Sequence, residues 1–159
     1  MKSITVTILL IFPFFCRLVN AQIVVYPKDL IYPSEIVLNI NHGKVNLGQS
    51  RMWNDAILTV ENNEIFKGWS SSTFDLLYTY NEGKLYLGDS DFAFDVLYTF
   101  KNGKIYRGDG TFMMDQIFSY KDGKFYQGNQ ESYFYQILTI DGQPTATEIF
   151  AILFALEFL

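Results

Sequence analysis

One register of glycines constrains this chain more than any other feature: Gly48, Gly68, Gly88, Gly108 and Gly128 recur every 20 residues. Three further series keep the same period. Gly43, Gly83, Gly103 and Gly123 form one, with Asn63 in the missing slot. Asp55, Asp75, Asp95 and Asp115 form another, which Tyr135 breaks. Thr59, Thr79, Thr99, Ser119 and Thr139 form the last. A shared period of this length means one small supersecondary unit stacked many times, because a single copy cannot bury its own apolar face.

The unit is a β-hairpin. Its clearest copy runs from Asp95 to Gly108, with Asn102-Gly103 between two stretches of β-branched and aromatic residues. Asn-Gly suits a type I′ turn, which needs positive φ at both central positions. Glu82-Gly83, Asp122-Gly123 and His42-Gly43 occupy the same place, and Asn62-Asn63 does so without glycine. Five hairpins are expected, with turns near 42, 62, 82, 102 and 122. A sixth copy opens at Ile137 and runs to Gly142 without returning. Ile23–Tyr26 reads as a separate short strand, and Pro27 and Pro33 make the next stretch a loop or edge segment.

Strict alternation puts Leu77, Thr79, Tyr86 and Gly88 on one face and Tyr78, Tyr80 and Leu85 on the other. Both faces are apolar enough to need cover, and the Thr/Gly face leaves room for another backbone to come close. The tail offers that cover. Pro144 precedes Thr145-Ala-Thr-Glu148, a capping box, and the chain continues almost wholly apolar to Leu159. Such a helix must be buried on nearly all sides. At about 1.5 Å per residue it would span roughly 22 Å, short of a bilayer core of roughly 30 Å. The expected fold is therefore all-β: tandem hairpin repeats forming a closed or nearly closed barrel, with the C-terminal helix as central plug.

Tandem hairpins with recurring Asn-Gly turns, aromatic strands and an export signal at the N-terminus resemble the β-flower proteins, shallow symmetric barrels built of petals. Those are similar in architecture to tubby-like domains, in which a hydrophobic helix fills a barrel. The resemblance covers residues 36–159 and implies a barrel without an established activity; five hairpins and a strand do not make a simple fourfold ring. Lys101-Asn-Gly-Lys-Ile-Tyr106 also resembles the cell-wall-binding repeats of surface proteins. Those build ligand sites from recurring tryptophans, and here Trp53 and Trp69 stand out of register.

The N-terminus reads as an export signal. Lys2 gives a positive start, Ile4 to Phe15 is nearly unbroken apolar sequence, and Val19-Asn20-Ala21 supplies small residues for cleavage before Gln22. The organisation expected is a signal peptide at 1–21, an N-terminal strand and loop at 22–35, the hairpin domain at 36–142 and its buried helix at 143–159. The destination is periplasmic or extracellular, the alternative being a segment retained as a membrane anchor. Cleavage would remove Cys16, the single cysteine, along with Lys2 and Arg17. Ten basic against 17 acidic residues then leave a formal charge of −7, which argues against nucleic acid and against electrostatic attachment to anionic lipid.

Catalytic chemistry is thinly supplied. The single histidine, His42, falls in a turn with no thiol to activate. Asp75, Asp95 and Asp115 could form a circle of carboxylates in a ring, but Asp also serves as a turn residue that every unit would need. No loop has the dense Asp spacing of a calcium site, and no cofactor or metal is implied. Tyr86, Tyr106 and Tyr126 are the candidate ligand-binding series: exposed they would stack on sugars, buried they are core. Lys44, Lys84, Lys104 and Lys124 read as a solvated rim. The expected function is a non-enzymatic exported domain that binds or scaffolds at the cell envelope, or else a carbohydrate-binding module. An envelope component, a glycan or a second copy are the candidate partners.

Overall fold

A computed structural model describes residues 22–29 and 31–159; the expected signal segment lies outside the described residues. Twelve antiparallel strands close into a single barrel. They are β1 (Ile23–Pro27), β2 (Leu38–Asn41), β3 (Lys44–Leu47), β4 (Leu58–Glu61), β5 (Glu64–Lys67), β6 (Leu76–Asn81), β7 (Lys84–Leu87), β8 (Val96–Lys101), β9 (Lys104–Arg107), β10 (Gln116–Lys121), β11 (Lys124–Gln127) and β12 (Gln136–Asp141), followed by α1 (Ala146–Ala155). The five expected hairpins are β2–β3, β4–β5, β6–β7, β8–β9 and β10–β11.

The lone N-terminal strand and the half-copy at the end form one petal. β1 pairs with β12 through Val24↔Asp141, Val25↔Ile140 and Tyr26↔Thr139, and with β2 through Ile23↔Ile40 and Val25↔Leu38. The ring therefore has six petals, and the sixth is assembled from both ends of the chain. β1 keeps the repeat's phase: Tyr26 is 20 residues before Asn46, and Lys28 is 20 before Gly48. Where residues 144–147 would have formed the returning strand, Pro144 instead starts the route into α1. Closure leaves no free edge for another chain to extend.

The two glycine registers do different work. In the tight turns, Gly103 has φ +74° and a Cβ placed there would sit 2.5 Å from the carbonyl oxygen of Tyr120 in the next petal. That closeness is needed, because the Gly103 carbonyl accepts the Tyr120 N–H at 2.6 Å. At Gly88 a Cβ would meet nothing within 4 Å, so glycine there serves its φ of +61° alone. Lys28 takes the corresponding place in the sixth petal at φ +36°.

The Thr register explains how each inter-petal loop is held. Thr59, Thr79 and Thr99 donate through Oγ1 to the carbonyls of Gly68, Gly88 and Gly108 at 2.8, 2.7 and 2.7 Å. Ser119 does the same to Gly128, Asn39 to Gly48, and Thr139 to Lys28. All six petals thus share one side-chain clamp. Replacing Thr99 with valine, which keeps the shape and deletes the donor, should cost about 1–2 kcal/mol as read from a denaturant midpoint at unchanged slope.

The helix covers the face opposite to the one with Thr and Gly. Tyr78 stacks on Phe154 at 4.3 Å and 7°, and Tyr80, Tyr98 and Phe100 surround Phe150. Leu85, Ile105 and Phe125 complete the same core with fully buried Ile149–Leu153. The roomy Thr/Gly face is approached instead by the chain's own loops. Leu77 also departs from strict alternation. Ile65 pairs with Tyr78 but Phe66 pairs with Leu76, a β-bulge that turns Leu77 against the inner core. The helix itself is shorter than expected. Thr145 caps it with the full reciprocal box, but it ends at Ala155, because Glu157 adopts φ +58° and Phe158 N–H reaches back to Leu153. The last residues fold over the barrel mouth, where Phe158 meets Phe118.

Candidate functional site

The barrel interior is filled, so any binding surface lies outside it. Tyr86 and Tyr106 are on the outer face but only 7% and 8% exposed, and Tyr126 is half-buried. Each is the cross-strand partner of a clamp residue, as in Thr79↔Tyr86, Thr99↔Tyr106 and Ser119↔Tyr126. The rings form a second, outer apolar layer, distinct from the core around α1, and present little face to a ligand. The first petal departs from this scheme. Asn39 and Asn46 replace the Thr/Tyr pair and are both buried, and their Oδ1 atoms have no protein donor among the described residues. A shallow pocket of about 230 Å³ opens beside Asn39, with Arg51 and Gln49 on its wall.

A short 3₁₀ turn precedes the first strand of each petal, and the aspartates close four of these six turns, with Glu35 and Tyr135 in the other two. Asp55 accepts from Ser50 Oγ at 2.8 Å, and Asp95 from Ser90 Oγ at 2.5 Å. They brace their own loops across five residues. Asp75 and Asp115 hold the same turn position. Among the described residues, no three His, Cys, Asp or Glu side chains converge as a metal site would require.

The lysines are less idle than a solvated rim. Lys44 donates to Thr59 Oγ1 at 3.1 Å and to the Trp69 carbonyl at 2.7 Å. Lys84 pairs with Asp109 at 2.5 Å, and that hydrogen bond raises its pKa. Both tie a loop to the neighbouring petal. His42 sits in the first tight turn, exposed, at φ +50°.

Three inner tyrosines hold protons more tightly than free phenols. Burial raises the pKa of Tyr78, Tyr80 and Tyr120 above 10.0, and at Tyr78 the neighbouring Tyr98 adds to it. The folded state therefore keeps these protons after the unfolded chain has begun to lose them. Stability should hold below about pH 10 and fall as pH rises through the raised values. Thermal midpoints taken between pH 9 and 11.5 should show this decline, and Tyr80→Phe should make it shallower.

Sequence reasoning misses the side chains carried on the 3₁₀ turns themselves. Phe74, Phe94, Met114 and Phe134 share one repeat position and are 98, 94, 93 and 88% exposed. Met52, Trp53, Phe92, Phe112, Met113 and Tyr133 extend the same belt. The signal that could find them is a further series at the 20-residue spacing, hidden among the more numerous strand aromatics. Large apolar side chains held this far into solvent at one repeat position mark a candidate contact surface.

The family model described as "6-fold beta flower protein" matches residues 25–153. No curated protein and no solved structure matches the chain.

Proposed function

Since the chain belongs to the 6-fold beta flower protein family, we propose that it is an exported, non-enzymatic binding module acting at the cell envelope. One observation carries this reading: repeat-equivalent loops hold bulky apolar side chains out into solvent, while the interior is packed shut by α1. Presenting the same kind of tip from several petals makes contact multivalent, so weak individual contacts add up when geometry allows them to act together. The export segment at 1–21 and the acidic balance of the remainder fit a domain that works outside the cytoplasm and away from nucleic acid.

The test is direct. Cells producing the protein are fractionated, and the N-terminus of the released form is sequenced. The expected first residue is Gln22, in an envelope or secreted fraction; a cytoplasmic chain that keeps Met1 or Lys2 would sink the proposal. The glycan reading moves with the geometry from Tyr86, Tyr106 and Tyr126 to the exposed belt, and a blank polysaccharide pull-down would remove it.

A further inference from the structure

The two ends of the barrel differ in chemistry. At one end are the tight turns, where His42, Asn62, Asn63, Glu82, Asn102 and Asp122 are all exposed and, among the described residues, no exposed large apolar side chain accompanies them. At the other end are the 3₁₀ turns, four of which run straight into the first residue of a strand, as Asp75 does into Leu76 and Asp95 into Val96. The belt of Phe74, Phe94, Met114 and Phe134 belongs to this second end. Exposed Leu47 and Leu87, at the ends of β3 and β7, lie there too, and so does Phe158 over the mouth. The barrel is therefore amphipathic along its axis.

The shape of the apolar end narrows what it can meet. Its tips are nearly fully exposed and hold one repeat position in four of the six petals, with Ser34 and Asn54 at that position in the other two. Protein partners usually anchor through side chains seated in well-packed pockets, and isolated protruding tips offer none. A deformable apolar medium needs no pocket. Acidic residues beside the tips, Asp55, Asp75, Asp95 and Asp115, would oppose an anionic surface. We propose that the 3₁₀-turn end docks shallowly on a neutral or zwitterionic lipid surface, its Phe and Met tips entering the interfacial zone while the tight turns face water. This deepens the binding-module reading and rests on it.

The experiment uses the chain as the producing cell delivers it and vesicles of phosphatidylcholine alone. Wild type is compared with a Phe74→Ser, Phe94→Ser, Phe134→Ser variant, whose thermal midpoint checks that folding is intact. Cosedimentation of wild type is expected, with at least a tenfold loss of partitioning in the variant and little response to salt. Equal binding by both, or no binding by wild type, overturns the lipid proposal. A concentration-dependent dimer in light scattering that the variant abolishes would overturn it in favour of a second copy. If vesicles fail but the variant still loses an envelope association that wild type has, lipid falls and the binding-module reading stands. If neither protein associates with the envelope, both fall.

Discussion

Replacing Phe150 with alanine is expected to destabilise the protein by about 3–5 kcal/mol, a large fraction of the roughly 5–15 kcal/mol that holds a domain folded. Phe150 is fully buried at the barrel centre, with Tyr80, Tyr98 and Phe100 around it. These rings come from neighbouring petals, so the cavity would open where several petals share one contact, and no single loop could move in to fill it. Removing residues 145–159 altogether should be worse. It would expose Leu85, Ile105 and Phe125 along the inner wall, and the expected outcome is loss of the cooperative unfolding transition. A soluble truncated protein that still melted sharply would show that α1 is an accessory and that the hairpins support one another without it.

The second large effect is expected at the seam. A chain that begins at Asp29 lacks β1, so β2 and β12 become open edges with unpaired backbone groups. It also loses Val25, fully buried in the core, and the Lys28 carbonyl that Thr139 and Gln136 hold. Such a chain should self-associate, since each open edge is a template for strand addition. Adding a synthetic peptide of residues 22–29 should restore a monomer with a cooperative melt, because the peptide supplies the missing strand in register. A monomeric, sharply melting truncated chain would mean that the barrel does not depend on β1 for closure.

Much of this architecture is legible in the sequence alone. Asn102-Gly103 and its counterparts locate five hairpins, because type I′ turns demand particular residues at fixed positions. Thr145 and Glu148 locate the start of α1 for the same kind of reason: a cap is a local hydrogen-bonding requirement. What escapes is non-local. The sixth petal is split between Ile23–Pro27 and Gln136–Asp141, and its two strands lie more than a hundred residues apart. Lys28 disguises the join by taking the place of a glycine. Strict alternation misplaces Leu77 because alternation fails at a bulge. Hydrophobicity predicts too long a helix because it persists to Leu159 while the backbone turns at Glu157.

The outer surface is the least legible part. Tyr86 and Tyr106 stand out as repeated aromatics, yet both are buried. A loop's path is set by contacts such as Lys44 to Trp69 and Lys84 to Asp109, which link different petals. Phe74, Phe94, Met114 and Phe134 repeat just as regularly. They lie in short loops where burial cannot be read from periodicity, and their exposure follows from the 3₁₀ turns that carry them.

The closed six-petal ring stands or falls on the contact between the ends of the chain. Cysteines at positions 24 and 141 test it most directly, because Val24 and Asp141 are cross-strand partners and paired strands bring Cα atoms within about 4.5–5.5 Å, inside disulfide range. Beginning the chain at Gln22 leaves no native cysteine to interfere. A V24C/D141C protein should oxidise to an intramolecular disulfide in a monomer whose melting point rises. A fully reduced monomer after oxidation, or disulfide found only between molecules, would contradict the closed ring.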